Sequence, residues 1–209
     1  MASNPITMTP ARTLIGYIIR HGDLNITNCW DGWGSYTLSP EGIEHANKAG
    51  QWLSFEGKIG RIVASDVPRT LQTADIIMNY VNPASTYLTT DPNLRPLLVA
   101  GFTGKEKTPE RMAEFKHYLE NIDEVIPDGE SVRQHMQRVQ VILTYMCSPY
   151  KGLPTVVVTH NSSIKNLMGK PTLKQAVSPG GIVGVWMTET GEIEFDVLLG
   201  ESTTEEGVS

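Results

Sequence analysis

The sequence predicts an α/β fold, a three-layer arrangement in which a mostly parallel central sheet carries helices on both faces. Short apolar runs alternate with amphipathic stretches along most of the 209 residues, which is the pattern of strands separated by helices. The clearest run, residues 155–159, consists entirely of β-branched side chains, as expected of a central parallel strand. No repeat or linker divides the sequence, so we expect a single domain over residues 1–209, with a cap-like insert around residues 91–127.

The first half of the chain predicts two strand–helix units. An apolar run at residues 14–19 indicates the first strand, and the helix after it begins at Ser39, whose hydroxyl can cap the backbone ahead of Pro40. A short strand at residues 61–64 follows. The second helix is expected to start near Pro68, since proline suits the first turn of a helix.

The middle of the chain is less regular. Residues 87–88 suggest a short strand, and residues 91–108, which are rich in proline and glycine, predict loops. A helix is expected over residues 109–119. Three of its apolar side chains should face inward: Met112, Phe115 and Leu119.

The last third of the chain predicts a long helix, a strand and a hairpin. Ser131 and Gln134 have the spacing of a capping box, so a helix should begin there. Its apolar stripe is Val132, Met136, Val139, Leu143 and Met146. After the strand at residues 155–159, two strands at 182–187 and 192–198 are expected to form a terminal hairpin.

Composition and charge exclude several functions. The formal net charge is −6 and the pI is about 5.4, so we expect no nucleic-acid partner, which would require a basic face. Cys29 and Cys147 lie far apart in sequence and predict reduced thiols rather than a disulfide framework. Residues 1–5 are polar and no apolar run reaches membrane-spanning length. We therefore expect a cytoplasmic protein with no membrane partner.

Four residues lie where the chemistry of a parallel sheet is expected. Arg20 and His21 follow the first strand, His160 follows the strand at residues 155–159, and Arg69 lies at the start of the second helix. Ligands of such sheets bind beyond the carboxyl ends of the strands. We therefore expect these four side chains to converge on one site.

The chemistry of these side chains suits phosphoryl transfer. The forked guanidinium groups of Arg20 and Arg69 and the ring of His160 can hold the oxygens of a phosphate monoester. One ring nitrogen of His21 would attack phosphorus to give a phosphohistidine, while the other donates to a backbone carbonyl that fixes the tautomer. Because fixed cations offset the phosphate charge, we expect no metal ion and no cofactor.

Four segments stand in a fixed order along the chain: residues 20–22, 65–74, 129–131 and 157–160. Together they resemble the motifs of the histidine phosphatase superfamily, which has the phosphoglycerate mutase-like fold, over roughly residues 14–187. The resemblance implies that His21 is the nucleophile and that Arg20, Arg69 and His160 form the rest of the phosphate pocket. It also implies that Glu130 lies beside the pocket and orients catalytic groups. Glu130 is equally compatible with a purely favourable position in the first turn of a helix.

The chain departs from the family pattern at three positions. Leu24 stands where many members have Ser or Thr, and Pro96 stands where many have the Glu that serves as general acid. Asn161 follows the second histidine, where the acid branch of the family has Asp. The general acid is therefore unassigned, and three carboxylates are candidates from their sequence proximity alone: Asp23, Glu106 and Glu110.

The remaining distinctive side chains are expected to be structural. His45, His117 and His135 are interpreted as solvent-exposed or boundary residues of helices. Trp30 and Trp33 either line the mouth of the pocket or pack within a loop.

The sequence thus predicts a metal-independent phosphomonoester phosphatase with a small phosphorylated substrate. Two alternatives stay open: a cofactor-dependent phosphoglycerate mutase that uses the same pocket, and a catalytically silent member that binds a phospho-ligand or a partner. A stable phosphohistidine formed from a bisphosphate would favour the mutase, and phosphate binding without turnover would favour the silent protein. The sequence leaves the natural substrate and the oligomeric state undefined.

Overall fold

A computed structural model describes residues 11–26, 28–81 and 84–202. Its centre is a six-stranded sheet with the strand order β3-β2-β4-β1-β5-β6. The strands are β1 (Arg12–Arg20), β2 (Arg61–Ala64), β3 (Tyr87–Thr90), β4 (Thr155–Thr159), β5 (Ile182–Thr188) and β6 (Ile193–Leu199). The first four run parallel to one another, whereas β5 and β6 pair antiparallel. The predicted α/β fold with a mostly parallel sheet is therefore confirmed.

Six α-helices flank the sheet within the described residues. They are α1 (Pro40–Phe55), α2 (Pro68–Met78), α3 (Pro109–Glu120), α4 (Val132–Val139), α5 (Val141–Cys147) and α6 (Asn161–Leu167). The predicted caps form as expected: Ser39 accepts from the Gly42 amide, and Ser131 and Gln134 make the reciprocal capping box. None of these helices is long and apolar enough to cross a membrane.

Alternation along β1 divides the core into two layers. Ile18 packs with α4, α5 and α6 on one face of the sheet, whereas Tyr17 and Ile19 pack with α1 and α2 on the other. Successive side chains of a strand point to opposite faces, so both layers can be apolar only if the strand is apolar throughout. The continuous apolar run of β1 therefore reflects burial on both sides.

A third apolar cluster lies in the region predicted as an insert. Phe102 and Ile126 are buried there with Trp30, and Phe115 of α3 packs edge-on against Trp30. The region thus has its own small core beside the sheet. Residues 1–10 and 203–209 lie outside the described residues, so the predicted extent of the domain stays a prediction.

Three details differ from the sequence-based expectations. The predicted long helix breaks at Gln140, which ends α4 and precedes α5. No residue of α3 is fully buried, and Met112 is 37% exposed because α3 lies over a cavity rather than in the core. The short helix α6 was not predicted, since its polar sequence has no clear apolar periodicity.

Candidate active site

The register of two neighbouring strands brings the two site histidines together. Arg20 of β1 lies opposite Thr159 of β4, and the His21 amide donates to the Thr159 carbonyl at 3.0 Å. His21 and His160 therefore leave the sheet side by side. Their ring centroids are 5.1 Å apart, and the rings lie at 61° to each other.

The backbone fixes the tautomer of His21. Its Nδ1 donates to the carbonyl of Gly22 at 2.7 Å, since a carbonyl can only accept. The unprotonated nitrogen is therefore Nε2. Burial, and next the charges of Arg69 and Arg20, lower the pKa of His21 well below its usual value, so the ring is neutral near pH 7.

His160 is buried beside Ser65, the residue that follows β2. The Ser65 hydroxyl lies 3.0 Å from His160 Nε2, whereas the buried Nδ1 has no hydrogen-bond partner among the described residues. Burial, and next the charge of Arg69, lower the pKa of His160 well below its usual value. This ring is thus also neutral near pH 7.

Arg69 is fully buried in the first turn of α2. Its guanidinium donates to the carbonyls of Gly32 and Gly34 at 2.7 and 3.2 Å and lies 3.2 Å from the Asp31 carboxylate. These contacts hold the loop that follows β1 against the site. Arg69 is not among the cavity-lining residues, so a direct contact with phosphate stays a prediction, but its charge acts on both histidines.

Arg20 lines the cavity, and hydrogen bonds to the segment that follows α6 hold its guanidinium group. One of its terminal nitrogens, Nη1, donates to the Val177 carbonyl at 2.9 Å and to the Gln175 side chain at 3.2 Å. Its buried Nε has no hydrogen-bond partner among the described residues. The segment that follows α6 therefore sets the direction of this guanidinium.

Glu130 makes its contacts outside the cavity lining. Its carboxylate pairs with Arg138 of α4 at 2.5 Å and accepts from the Leu98 amide at 2.9 Å, and it is not among the cavity-lining residues. Arg138 in turn donates to the carbonyls of Arg95 and Pro96. Glu130 therefore supports residues 95–98 through its ion pair, and its expected role beside the phosphate pocket stays a prediction.

A cavity of about 880 Å³ opens above the two histidines. Arg20, His21 and His160 line it, and so do Met112 and Phe115 of α3. Trp30, which is 6% exposed, both lines this cavity and packs in the third apolar cluster. The site thus joins a cationic region to an apolar wall.

The position of the missing family glutamate also lies at this cavity. Pro96 lines it, and its carbonyl accepts from Trp33 Nε1 at 2.8 Å and from Arg138. Trp33 therefore packs within the loops, with the guanidinium of Arg95 4.6 Å from its ring centroid. Of the three proposed acids, Asp23 lines the cavity, whereas Glu106 and Glu110 do not.

Sequence reasoning missed two buried residues. Lys165 of α6 lines the cavity and is 9% exposed. His135, expected at a surface or boundary, is fully buried and lies 2.6 Å from the Asn166 side chain. His135 stands three residues after Val132 and four before Val139, so the periodicity of α4 contained the signal that it faces inward.

These features define the class of the protein. A neutral histidine with a fixed tautomer, a second histidine and two arginines at the carboxyl ends of parallel strands constitute a site for phosphoryl transfer on an α/β fold.

Comparison with known proteins specifies this class. The family model described as histidine phosphatase superfamily (branch 1) matches residues 16–175. The 2,3-bisphosphoglycerate-dependent phosphoglycerate mutase of Xanthobacter autotrophicus is 28% identical over 178 residues, which cover 79% of this chain and 83% of that protein. The chain therefore belongs to the histidine phosphatase superfamily and is an enzyme of the histidine phosphatase type.

Solved structures of other proteins share the fold. A mycobacterial glucosyl-3-phosphoglycerate phosphatase superposes with a TM-score of 0.73 at 18% identity, covering 91% of this chain and 99% of that one. A phosphoglycerate mutase from Bacillus anthracis superposes with a TM-score of 0.72 at 20% identity, covering 94% of this chain and 95% of that one. At these identities the likeness concerns the fold alone.

Proposed function

We propose that the protein is a metal-independent phosphomonoester phosphatase that forms a phosphohistidine on His21. The hydrogen bond from His21 Nδ1 to the Gly22 carbonyl carries the proposal. It leaves the lone pair of Nε2 free to attack phosphorus, and the lowered pKa of His21 keeps that lone pair unprotonated at neutral pH.

Unpartnered buried nitrogens support an anionic ligand. Two residues that line the cavity, Arg20 and His160, have a buried nitrogen (Nε and Nδ1) without a hydrogen-bond partner among the described residues. A buried polar atom without a partner is costly, and such atoms in native structures call for an explanation. A bound phosphoryl group would supply acceptor oxygens to such donors, and the fixed charges would stabilise its transition state.

The reaction would proceed in two steps. His21 Nε2 attacks phosphorus, the bond from phosphorus to the ester oxygen breaks, and the phosphoryl group becomes attached to His21. Water then attacks phosphorus, the bond to Nε2 breaks, and inorganic phosphate leaves. Arg20 and His160 hold the phosphoryl oxygens in both steps, and Arg69 adds positive charge from the buried side.

The substrate we propose is a small phosphorylated molecule. The cavity of about 880 Å³ has space for an organic group beyond the phosphate, and its apolar wall of Met112 and Phe115 suits a partly apolar one. The phosphatase among the structural neighbours supports a small-molecule substrate. A cytoplasmic setting without a nucleic-acid or membrane partner completes the proposal.

The test is release of phosphate from p-nitrophenyl phosphate in the presence of EDTA. We expect the wild type to stay active and His21→Ala to lose roughly 1,000-fold in kcat/KM, because the nucleophile is removed. The matched control is His117→Ala, an exposed histidine of α3 that does not line the cavity. Activity retained by His21→Ala would disprove the assignment of the nucleophile.

A phosphoglycerate mutase is the second candidate, favoured by the curated relative with that name. A mutase needs a phosphoenzyme that survives until the product is rephosphorylated. Incubation with 2,3-bisphosphoglycerate, followed by denaturation and detection of phosphohistidine, separates the two. A stoichiometric phosphoenzyme that transfers phosphate to phosphoglycerate faster than to water would replace the phosphatase with the mutase.

A further inference from the structure

Lys165 is a buried cation that the two-step reaction above does not use. It belongs to α6, the helix that starts directly after His160. Its side chain is 9% exposed and lines the cavity with His21 and His160. The ammonium group makes no hydrogen bond or ion pair with any residue that the structure describes.

Lys165 is largely withdrawn from water, although it keeps contact with the cavity that it lines. Charged groups lose their hydration on burial and are retained inside proteins when they are paired or shift their ionisation. Burial, and next the charge of Arg20, lower the pKa of Lys165 to about 8. Near neutral pH this lysine is thus still protonated, yet it releases its proton far more readily than an exposed lysine.

The cationic surroundings of Lys165 explain why it is a good donor. Arg20 of β1 shares the cavity, and so do Lys107, Lys116 and Lys174. Both histidines beside it are neutral near pH 7. The positive charges nearby disfavour the protonated form of Lys165. The lysine would therefore readily transfer its proton to a negative charge that develops on a substrate in this cavity.

The cavity-lining carboxylates are poorly placed to act as the acid. Asp31 is held in an ion pair 3.2 Å from the fully buried Arg69. Glu120 is half exposed at the end of α3 and lies 3.5 Å from Lys116. Asp23 is within 3.4 Å of the Ser39 hydroxyl at the cap of α1. Pro96, at the position of the family's acid, has no proton to give.

We propose that Lys165 is the catalytic general acid and base of this enzyme. The proposal rests on the proposed phosphatase function. In the first step the lone pair of His21 Nε2 forms the bond to phosphorus, and the bond from phosphorus to the ester oxygen breaks. The electron pair stays on that oxygen, which takes a proton from the Lys165 ammonium and leaves as the neutral alcohol.

The second step restores the enzyme. The neutral amine of Lys165 takes a proton from water while the water oxygen forms a bond to phosphorus. The bond from phosphorus to Nε2 breaks, and its electron pair returns to the His21 ring. The products are inorganic phosphate, the Lys165 ammonium and the free nucleophile, so atoms and protons balance over the cycle.

The test compares two substrates of similar size and different leaving groups. p-Nitrophenyl phosphate releases an acidic phenol that needs little protonation, whereas phenyl phosphate releases a much weaker acid. In Lys165→Met we expect kcat/KM to fall roughly 100-fold or more for phenyl phosphate and less than about 10-fold for p-nitrophenyl phosphate. The melting temperature should not fall, because Met fills the space and removes a charge that is largely withdrawn from water.

Lys165→Arg distinguishes proton transfer from charge. Arginine keeps the positive charge but does not release its proton, so the selective loss on phenyl phosphate should persist. Recovery of both substrates by Lys165→Arg would reduce Lys165 to a charge for anion binding and overturn the proposal. Equal losses on both substrates, or no loss on either, would also overturn it.

Two controls keep this result separate from the proposed function. Lys170→Met changes an exposed lysine outside the cavity and should leave both activities unchanged. Turnover of phenyl phosphate by the wild type should decline above about pH 8, and this decline should disappear in Lys165→Met. A wild type that turns over neither substrate would disprove the phosphatase function and the role of Lys165 together, whereas an active wild type with unselective variants would disprove the role of Lys165 alone.

Discussion

One carbonyl oxygen at the candidate active site decides which nitrogen of His21 keeps a free lone pair. The strand-end position of His21 was predictable, because an apolar run followed by Arg-His-Gly is visible in the sequence. The identity of the carbonyl was not, because it depends on how the backbone turns after β1. Gly22 supplies it at 2.7 Å. The residue types of the pocket are thus encoded locally, and their protonation is decided by three-dimensional contacts.

Glu130 shows the limit of residue-level inference most clearly. The capping pattern correctly predicted a helix start beside it, but its partner Arg138 lies near the other end of α4. An acidic residue just before a short helix has many acceptable partners, so sequence spacing alone did not select one.

Glu130→Gln tests whether this residue supports structure or contacts substrate. Glutamine keeps the shape but loses the charge-assisted bonds to Arg138, so we expect the free energy of unfolding to fall by about 1–3 kcal/mol. The KM for p-nitrophenyl phosphate should change by less than about twofold. Urea unfolding and steady-state kinetics measure the two effects, with exposed Glu124→Gln as control. A large rise in KM without loss of stability would favour substrate contact instead.

At the scale of elements, the loop that follows β1 packs closely against the first turn of α1. A Cβ at Gly42 would lie 2.1 Å from the Asp23 carbonyl oxygen, and one at Gly22 would lie 2.1 Å from the Gly42 carbonyl oxygen. The glycine of the Arg-His-Gly motif is therefore required by this contact, and neither glycine has a positive φ. Two backbone segments thus pack closely at these glycines.

We expect Gly42→Ala to destabilise the protein although alanine is the better helix former. The clash with backbone atoms costs about 1–3 kcal/mol and outweighs the roughly 1 kcal/mol gained in helix propensity. Glu44→Ala, on the exposed side of α1, gives the propensity effect without the clash. Thermal unfolding of both variants measures the difference. A more stable Gly42→Ala would mean that α1 can shift away from residue 23 at little cost.

At the scale of the whole molecule, apolar periodicity predicted the sheet well and the short polar elements poorly. The central strands β1 and β4 carry continuous apolar runs because helices cover both faces. By contrast, α6 has seven residues, and its burial comes from the sheet and α4 around it. Lys165 was missed because tertiary packing buries a polar side chain that local sequence marks as exposed, whereas for His135 the apolar spacing of α4 held a signal that its polarity obscured.

Buried neutral histidines make the stability of the whole protein depend on pH. Burial is the first cause of the lowered pKa of His21, His135 and His160, and for His135 the pKa falls to about 3. The unfolded chain binds protons below about pH 6.5, while the folded protein does not. Their stabilisation is therefore complete above that pH and is lost as the pH falls.

We expect the free energy of unfolding to decline between pH 7 and 5, by up to about 1.4 kcal/mol per pH unit for each of these histidines below pH 6.5. His135→Gln should reduce that slope by one proton, since its side chain does not titrate there. Urea denaturation at several pH values measures the slope. An identical slope in wild type and His135→Gln would show that His135 is protonated in the folded protein.

The pairing of β1 with β4 also makes enzyme activity depend on how far the chain has folded. His21 and His160 are adjacent only because two strands that are far apart in the sequence align in one register. A slip of one residue would shift one histidine by about 3.3 Å along the sheet and turn it to the other face. His21 and His160 thus do not meet in a partly paired chain. During refolding, enzyme activity should return no earlier than hydrogen-exchange protection of the β1–β4 amides, which makes catalysis a kinetic reporter of a long-range strand pairing.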